Sequence, residues 1–286
     1  MKTLIVIIVD IFFLLCYNYS SLSESGVYVS KKKITIIISS ILAFSLIVCI
    51  VLSVLLYNGI ILFNNPSDEE YPVRGVDVSS YQGKIDWQVL SKENIDFAFI
   101  KATEGSTHKD KYFNDNLNNS LQTSLKVGTY HFFSFESGGD TQAENFISAV
   151  PVKEGMLPPV VDVEFYADKE NNPPTKESID KELKILLNRL EEHYGVKPII
   201  YTTEKVYDLY IKNTYDDYDL WIRNVITSPN KDIRSWTFWQ YTNRERLNGY
   251  TGEEKYIDVN VFNGTIDDFK KFPTVGEDEN STNNLF

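Results

Sequence analysis

The sequence predicts an α/β fold, an irregular TIM-like (β/α) barrel with about eight strands, preceded by an N-terminal transmembrane helix. Eight short apolar runs recur between residues 73 and 262, helical patterns alternate with the early ones, and one long apolar segment precedes them all. Eight is the strand number that closes a barrel around a filled interior. At 286 residues with 43% hydrophobic content, the chain can build a sizeable core.

Residues 1–33 are expected to be a cytoplasmic or weakly apolar N-terminal segment. Thr3 to Tyr17 is apolar but short, and Asp10 near its middle costs about 2.5–3.5 kcal/mol at a helix centre, so it is a poor span. Three readings stay open for it: a weak span, a signal peptide with Lys2 as its basic start, or a consequence of the assigned start site. Cys16 follows a large residue and reads as an ordinary apolar cysteine.

Residues 34–57 (ITIIISSILAFSLIVCIVLSVLLY) exceed the roughly 20 residues a membrane-spanning helix needs. Lys31, Lys32 and Lys33 precede this helix and Asp68, Glu69 and Glu70 follow it. The positive-inside rule therefore puts the N-terminus in the cytoplasm and the rest of the chain on the extracytoplasmic side of the cell membrane. Residues 58–71 are expected to be a polar linker, 72–273 the folded domain and 274–286 a disordered tail.

In the folded domain, strands are predicted at Val73–Ser79, Phe97–Thr103, Val127–Phe135, Pro159–Phe165, Pro198–Thr203, Leu220–Val225, Phe238–Thr242 and Ile257–Phe262. Helices fit at Phe113–Leu125, Thr141–Val150 and Lys176–Tyr194. The last has Leu183, Leu186, Leu187 and Leu190 on one face and Thr175 as its cap. Beyond Thr203 only Glu204–Ile211 is a good helix, so helices are missing in the last third.

Composition narrows the function. The net charge is -12, and residues 1–63 contribute +2, which leaves -14 on the rest and disfavours nucleic acid as a partner. Both cysteines, Cys16 and Cys49, lie in the apolar N-terminal region. The soluble part therefore has neither a thiol nucleophile nor a disulfide. His108, His131 and His193 lack metal-ligand spacing, so no metal or cofactor is expected.

Alternate strand residues share a face, so in Val160-Val161-Asp162-Val163-Glu164 the two carboxylates point together into the barrel. The same parity turns Asp77, Lys101, Tyr201 and Asp258 inward, each taken to lie near a strand's C-terminal end, where barrel active sites form. Carboxylates crowded this way raise one another's pKa, which yields the proton-holding acid a glycosidase needs beside an ionised partner. Glu164 is the expected general acid and Asp162 the group that stabilises positive charge on the sugar. Asp77 and Asp258 tune the pair or position substrate or water. Tyr130 and Trp221 are candidates to stack on sugars, and Gln240 has inward parity if its flanking aromatics pack outward. Glu104, of outward parity, reads as structural.

Six motifs in register then resemble family 25 glycoside hydrolases, the Chalaropsis-type lysozymes. They are Gly75-Val76-Asp77-Val78-Ser79-Ser80-Tyr81-Gln82-Gly83 with Ile85-Asp86-Trp87, Phe99-Ile100-Lys101-Ala102-Thr103-Glu104-Gly105, Gly128-Thr129-Tyr130-His131-Phe132-Phe133, Val161-Asp162-Val163-Glu164, Trp239-Gln240-Tyr241 and Ile257-Asp258-Val259-Asn260-Val261-Phe262. The resemblance implies an N-acetylmuramidase that cuts the β-1,4 bond between N-acetylmuramic acid and N-acetylglucosamine in peptidoglycan. It implies an acidic cluster of Asp77, Asp162, Glu164 and Asp258, with Glu164 as the acid and Asp162 as stabiliser or nucleophile. The substrate-binding expectations are Tyr130, Tyr201, Trp221, Gln240 and Lys101. The expected partners are peptidoglycan glycan chains and, through the N-terminal helix, the membrane, with a monomeric catalytic domain. The competing readings are a non-catalytic envelope glycan-binding protein and a glycosidase for other N-acetylglucosamine-containing chains.

Overall fold

A computed structural model describes residues 30–276. The run around Asp10 and Cys16, and tail residues 277–286, lie outside the described residues. The chain divides into two units, one ending at Tyr57 and the other beginning at Asn58.

In the first unit, α1 (Lys31–Tyr57) is 27 residues long, with no charged residue after Lys33 and none buried. It is long and apolar enough to cross a membrane, a property that membrane spans and signal sequences share.

The second unit is a closed, mixed barrel. Its strands are β1 (Arg74–Val78), β2 (Phe97–Glu104), β4 (Lys126–Phe132), β5 (Val160–Val163), β6 (Ile199–Thr203), β7 (Leu220–Arg223), β8 (Phe238–Glu245) and β9 (Ile257–Phe262), while the short β3 (His108–Lys109) hangs on β2. All eight predicted strands are present. β9 runs antiparallel to both β1 and β8, and the other barrel pairings are parallel. Helices α2 (Trp87–Leu90), α3 (Phe113–Ser120), α4 (Gly139–Ala149) and α5 (Lys176–Tyr194) follow the early strands. α6 (Glu204–Val206) continues into a π-helical turn, Tyr207–Ile211, and α7 (Ile266–Lys270) follows β9. The β7–β8 and β8–β9 connections carry no helix, as predicted.

Side-chain alternation sorts the core into two layers. Val76, Ala98, Ile100, Val127, Val161, Val163, Ile200 and Ile222 face outward and pack with the helical leucines Leu183, Leu186, Leu187 and Leu190. Phe97, Phe99, Val160, Ile199, Trp221, Phe238 and Phe262 fill the barrel interior. Two inward glycines make room for them. A Cβ on Gly75 would lie 2.3 Å from the Phe97 ring, and one on Gly128 would lie 2.4 Å from the Phe99 ring.

Two predicted boundaries are corrected. Residues 58–71 are not a free linker, because Asn64 is buried and its Nδ2 donates to the carbonyls of Asn224, Thr227 and Tyr241 at 3.1, 3.2 and 3.3 Å. Arg74 donates to the Pro66 carbonyl and the Tyr241 hydroxyl and pairs with Asp68 at 2.6 Å, while Tyr71 packs on Trp236 and Trp239. This strap lies against the outward residues of β8, where the connections supply no helix. At the other end, Thr274 and Val275 are buried, and Val275 exchanges backbone hydrogen bonds with Gly155 and Met156. The domain therefore runs past residue 273.

The outer layer also holds a buried polar network. His131 sits between the Thr103 hydroxyl, 2.7 Å from Nδ1, and the Gln142 carbonyl oxygen, 3.1 Å from Nε2. That oxygen also accepts from the Ser134 amide, so Nε2 carries the proton and Nδ1 accepts from Thr103. Burial lowers the His131 pKa to about 4. The unfolded chain binds this proton at ordinary histidine pKa, so between those values it holds more protons than the folded one. Stability contributed by neutral His131 is complete above about pH 6.5 and is lost as pH falls toward 4, by roughly 3 kcal/mol. Urea unfolding of the parent and of His131→Gln at both ends of this window checks it. The variant should show the smaller acid-side loss, and equal losses would refute the assignment.

Candidate active site

The C-terminal rim of the parallel strands gathers four carboxylates. Asp77 is the fourth residue of β1 and Asp162 the third of β5. Glu164 follows the last residue of β5 and is half-buried at the mouth. Asp258 is the second residue of β9, at its N-terminal end, which corrects the expectation that every site residue ends a strand. The antiparallel direction of β9 sets Asp258 directly opposite Asp77 in the ladder.

Asp77 is the hub. Its Oδ2 accepts from Gln240 Nε2 at 2.9 Å and from Asn260 Nδ2 at 2.8 Å. Each amide is itself oriented from behind: Tyr201 donates its hydroxyl to Gln240 at 3.1 Å, and Trp221 donates its indole N–H to Asn260 at 2.9 Å. Burial raises the Asp77 pKa, while Asn260 and Gln240 oppose the rise by stabilising the anion. Burial and then the Asp77 charge push Asp258 well above the ordinary carboxylate range. Asp258 therefore keeps its proton and donates it toward Asp77, which holds the pair's negative charge.

Burial and the Glu164 charge raise Asp162 well above the ordinary range, and the Asp162 Oδ1 atom is buried with no hydrogen-bond partner among the described residues. Glu164 is raised by burial and held down chiefly by Arg223. In the free enzyme burial thus raises both the carboxyl expected to be the anion and the one expected to be the acid. An unpartnered acceptor in a low-dielectric pocket is costly, and a ligand N–H would relieve that cost.

The structure redistributes the expected substrate contacts. Trp221 is only 2% exposed, stacked on Phe99 at 4.7 Å and edge-on to Tyr201 at 4.7 Å, so it does not offer a free face to a sugar. Tyr201 and Gln240 are likewise buried and spend their polar groups on the relay to Asp77. These three support the site from below because the barrel interior is filled at their level. Lys101 faces inward and pairs with Glu104 at 2.7 Å. Tyr130 stays partly open, and burial, then the charges of Asp77, Asp162 and Asp258, raise its pKa.

Sequence parity missed three members of the site. A bulge in β2 between Lys101 and Thr103 reverses the alternation, turning Thr103 outward to His131 and Glu104 inward to Lys101. The structural reading of Glu104 from outward parity fails for that reason. Arg223 shares inward parity with Trp221 and is a cationic influence on all four carboxylates. Asn260 shares inward parity with Asp258. The alternation applied earlier to Asp162 and Glu164, extended by two residues along β7 and β9, would have found both.

Comparisons with known proteins point to one family. The profile of glycosyl hydrolases family 25 matches residues 76–250. A solved family 25 glycosyl hydrolase from Bacillus anthracis is 56% identical with a TM-score of 0.70, covering 73% of this chain and 97% of that one. The uncharacterized protein YegX of Escherichia coli (strain K12) is 34% identical over 208 residues, 71% of this chain and 74% of its own. Lysozyme M1 of Streptomyces globisporus is 29% identical over 210 residues, 68% of each chain.

Proposed function

Because this chain belongs to glycosyl hydrolases family 25 and is a glycoside hydrolase of the lysozyme type, we propose that it cuts the β-1,4 bond between N-acetylmuramic acid and N-acetylglucosamine in peptidoglycan. The observation that carries this reading is the buried, donor-free Oδ1 of Asp162 beside Glu164 at the mouth. A substrate acetamido group supplies the matching N–H. Its carbonyl oxygen then lies free to attack the anomeric carbon as Glu164 gives its proton to the departing glycosidic oxygen. The C–O bond to the leaving sugar breaks as the new C–O bond forms, and Asp162 stabilises the positive charge on the ring nitrogen. Water, deprotonated by Glu164, opens this intermediate and restores both groups.

The N–H also separates the two raised carboxyls. A donor on Asp162 favours its ionised form, so substrate binding lowers Asp162 and leaves Glu164 as the carboxyl that holds the proton. Asp77, fixed by two amides and Asp258, contributes a stationary negative charge opposite the developing positive one.

The test is digestion of peptidoglycan by the purified chain, with new reducing ends identified by mass spectrometry. Muramic acid at those ends is the expected result. Glucosamine ends would point to a glycosidase for other N-acetylglucosamine linkages, and no new ends to a glycan-binding protein. In the same reading α1 anchors the barrel at the extracytoplasmic face of the cell membrane. Protease shaving of intact cells should remove the barrel, and its protection would exclude that side.

A further inference from the structure

Immediately beyond Asp77, the loop Ser79–Gly83 closes on the β1 side of the mouth and carries the most exposed aromatic side chain described between residues 58 and 276. Tyr81 is 70% exposed, against 48% for Phe63, the next such aromatic. The backbone beneath it is held on every side. Ser79 and Gln82 form a capping box, and the Ser80 amide donates to Asp110 Oδ2 at 2.8 Å. The same Asp110 carboxylate takes the Tyr112 amide at 2.9 Å, tying the β1 and β3 loops together. From the β8–β9 loop, the Gly252 amide donates to the Gln82 carbonyl at 2.9 Å and the Glu254 amide to the Tyr81 carbonyl at 3.2 Å. A Cβ on Gly252 would lie 2.3 Å from the Tyr81 carbonyl oxygen, so the two loops interlock at backbone distance.

This much ordering around a solvent-facing ring is what a preformed stacking platform requires. The loop is already fixed, so capturing a flat apolar surface immobilises only the ring torsions. The ring face matches the C–H face of a pyranose, and the hydroxyl stays in water. The inward carboxylates and Arg223 serve the sugars at the bond being cut, whereas Tyr81 lies outside that cluster on the rim.

We propose that Tyr81 is the platform of an outlying glycan subsite, which binds a hexosamine ring of the same strand away from the cleaved bond. The proposal rests on the muramidase reading and adds to it a preference for long strands. A remote subsite contributes binding only to chains that reach it, so its loss falls on KM for long substrates.

The experiment uses the full chain in detergent with peptide-free peptidoglycan strands, comparing tetrasaccharides with strands several times longer. Tyr81→Ala should raise KM on long strands roughly 5- to 10-fold and narrow the KM advantage of long over short chains, and Tyr81→Trp should restore that advantage. A second readout needs no turnover: the dissociation constant of long strands on Glu164→Gln, with and without Tyr81→Ala, should weaken by a similar factor. Equal changes for both lengths, or none on long strands, would overturn the subsite. Failure of the muramidase reading would appear separately, as glucosamine reducing ends from the parent protein.

Discussion

Glu164→Gln is expected to lower kcat/KM on peptidoglycan by about 1,000-fold or more, the largest effect of any single substitution in this chain. Gln keeps the shape and hydrogen-bonding capacity of the side chain but has no proton to give to the glycosidic oxygen. The loss should not come from unfolding. Burial already disfavours the charged form of Glu164, so a neutral amide removes a desolvation cost, and the variant should melt at the parent's temperature or slightly above it. Leaving-group dependence isolates the role. A nitrophenyl glycoside departs without protonation, so Glu164→Gln should lose far less activity on it than on peptidoglycan. Equal losses on both substrates would assign Glu164 to binding or structure instead.

Asp162→Asn is the second large effect, expected to cost about 100- to 1,000-fold in kcat. The amide keeps the volume but replaces an anion by a neutral dipole where positive charge develops on the substrate. The pH profiles give the sharper test. Catalysis needs Asp162 ionised and Glu164 protonated, and burial raises both in the free enzyme. The acid limb of kcat/KM, which reports the free enzyme, should therefore lie well above the ordinary carboxylate range. In the substrate complex the N–H donated to Asp162 favours the anion, so the acid limb of kcat should move to lower pH. In Asp162→Asn the acid limb should vanish, leaving the alkaline limb of Glu164. Acid limbs at one pH in both profiles would mean that substrate leaves Asp162 untouched.

Arg223 shapes both profiles. Its charge opposes the rise at each of the four carboxylates and is the largest single force holding Glu164 down. Among the described residues no carboxylate lies within 4.0 Å of it in an ion pair, whereas Lys101, the other inward cation, is committed to Glu104. Besides the Lys101–Glu104 pair, the site thus sets one unpaired cation among four clustered acids, only some of which can be ionised together.

Much of this was legible from local order alone. Strand periodicity is a property of successive residues, so the eight apolar runs and the shared face of Asp162 and Glu164 could be read without any partner strand. The α5 stripe and its Thr175 cap are equally local, and the structure has both, with the Thr175 hydroxyl accepting from the Ser178 amide at 3.3 Å. Six spaced motifs were enough to point to the family.

What the tertiary structure alone decided depends on neighbours distant in sequence. Parity says which residues share a face, but it does not say which way a strand runs, and the antiparallel β9 brings Asp258 to the mouth from its strand's beginning. A single inserted residue reverses parity, so the β2 bulge put Glu104 inside where simple alternation put it outside. Burial is collective: Trp221 and Tyr201 became supports for Asp77 because Phe99, Gln240 and Asn260 close over them. The polar run before residue 72 became part of the barrel because three carbonyls, two from the β7–β8 connection and one from β8, converge on Asn64. The sequence by itself determined the barrel and the Asp162–Glu164 pair, since the one follows from eight recurring apolar runs and the other from a period of two along one strand. The position of Asp258, the support of Asp77 and the strap come from contacts between segments up to 183 residues apart, which no local pattern records.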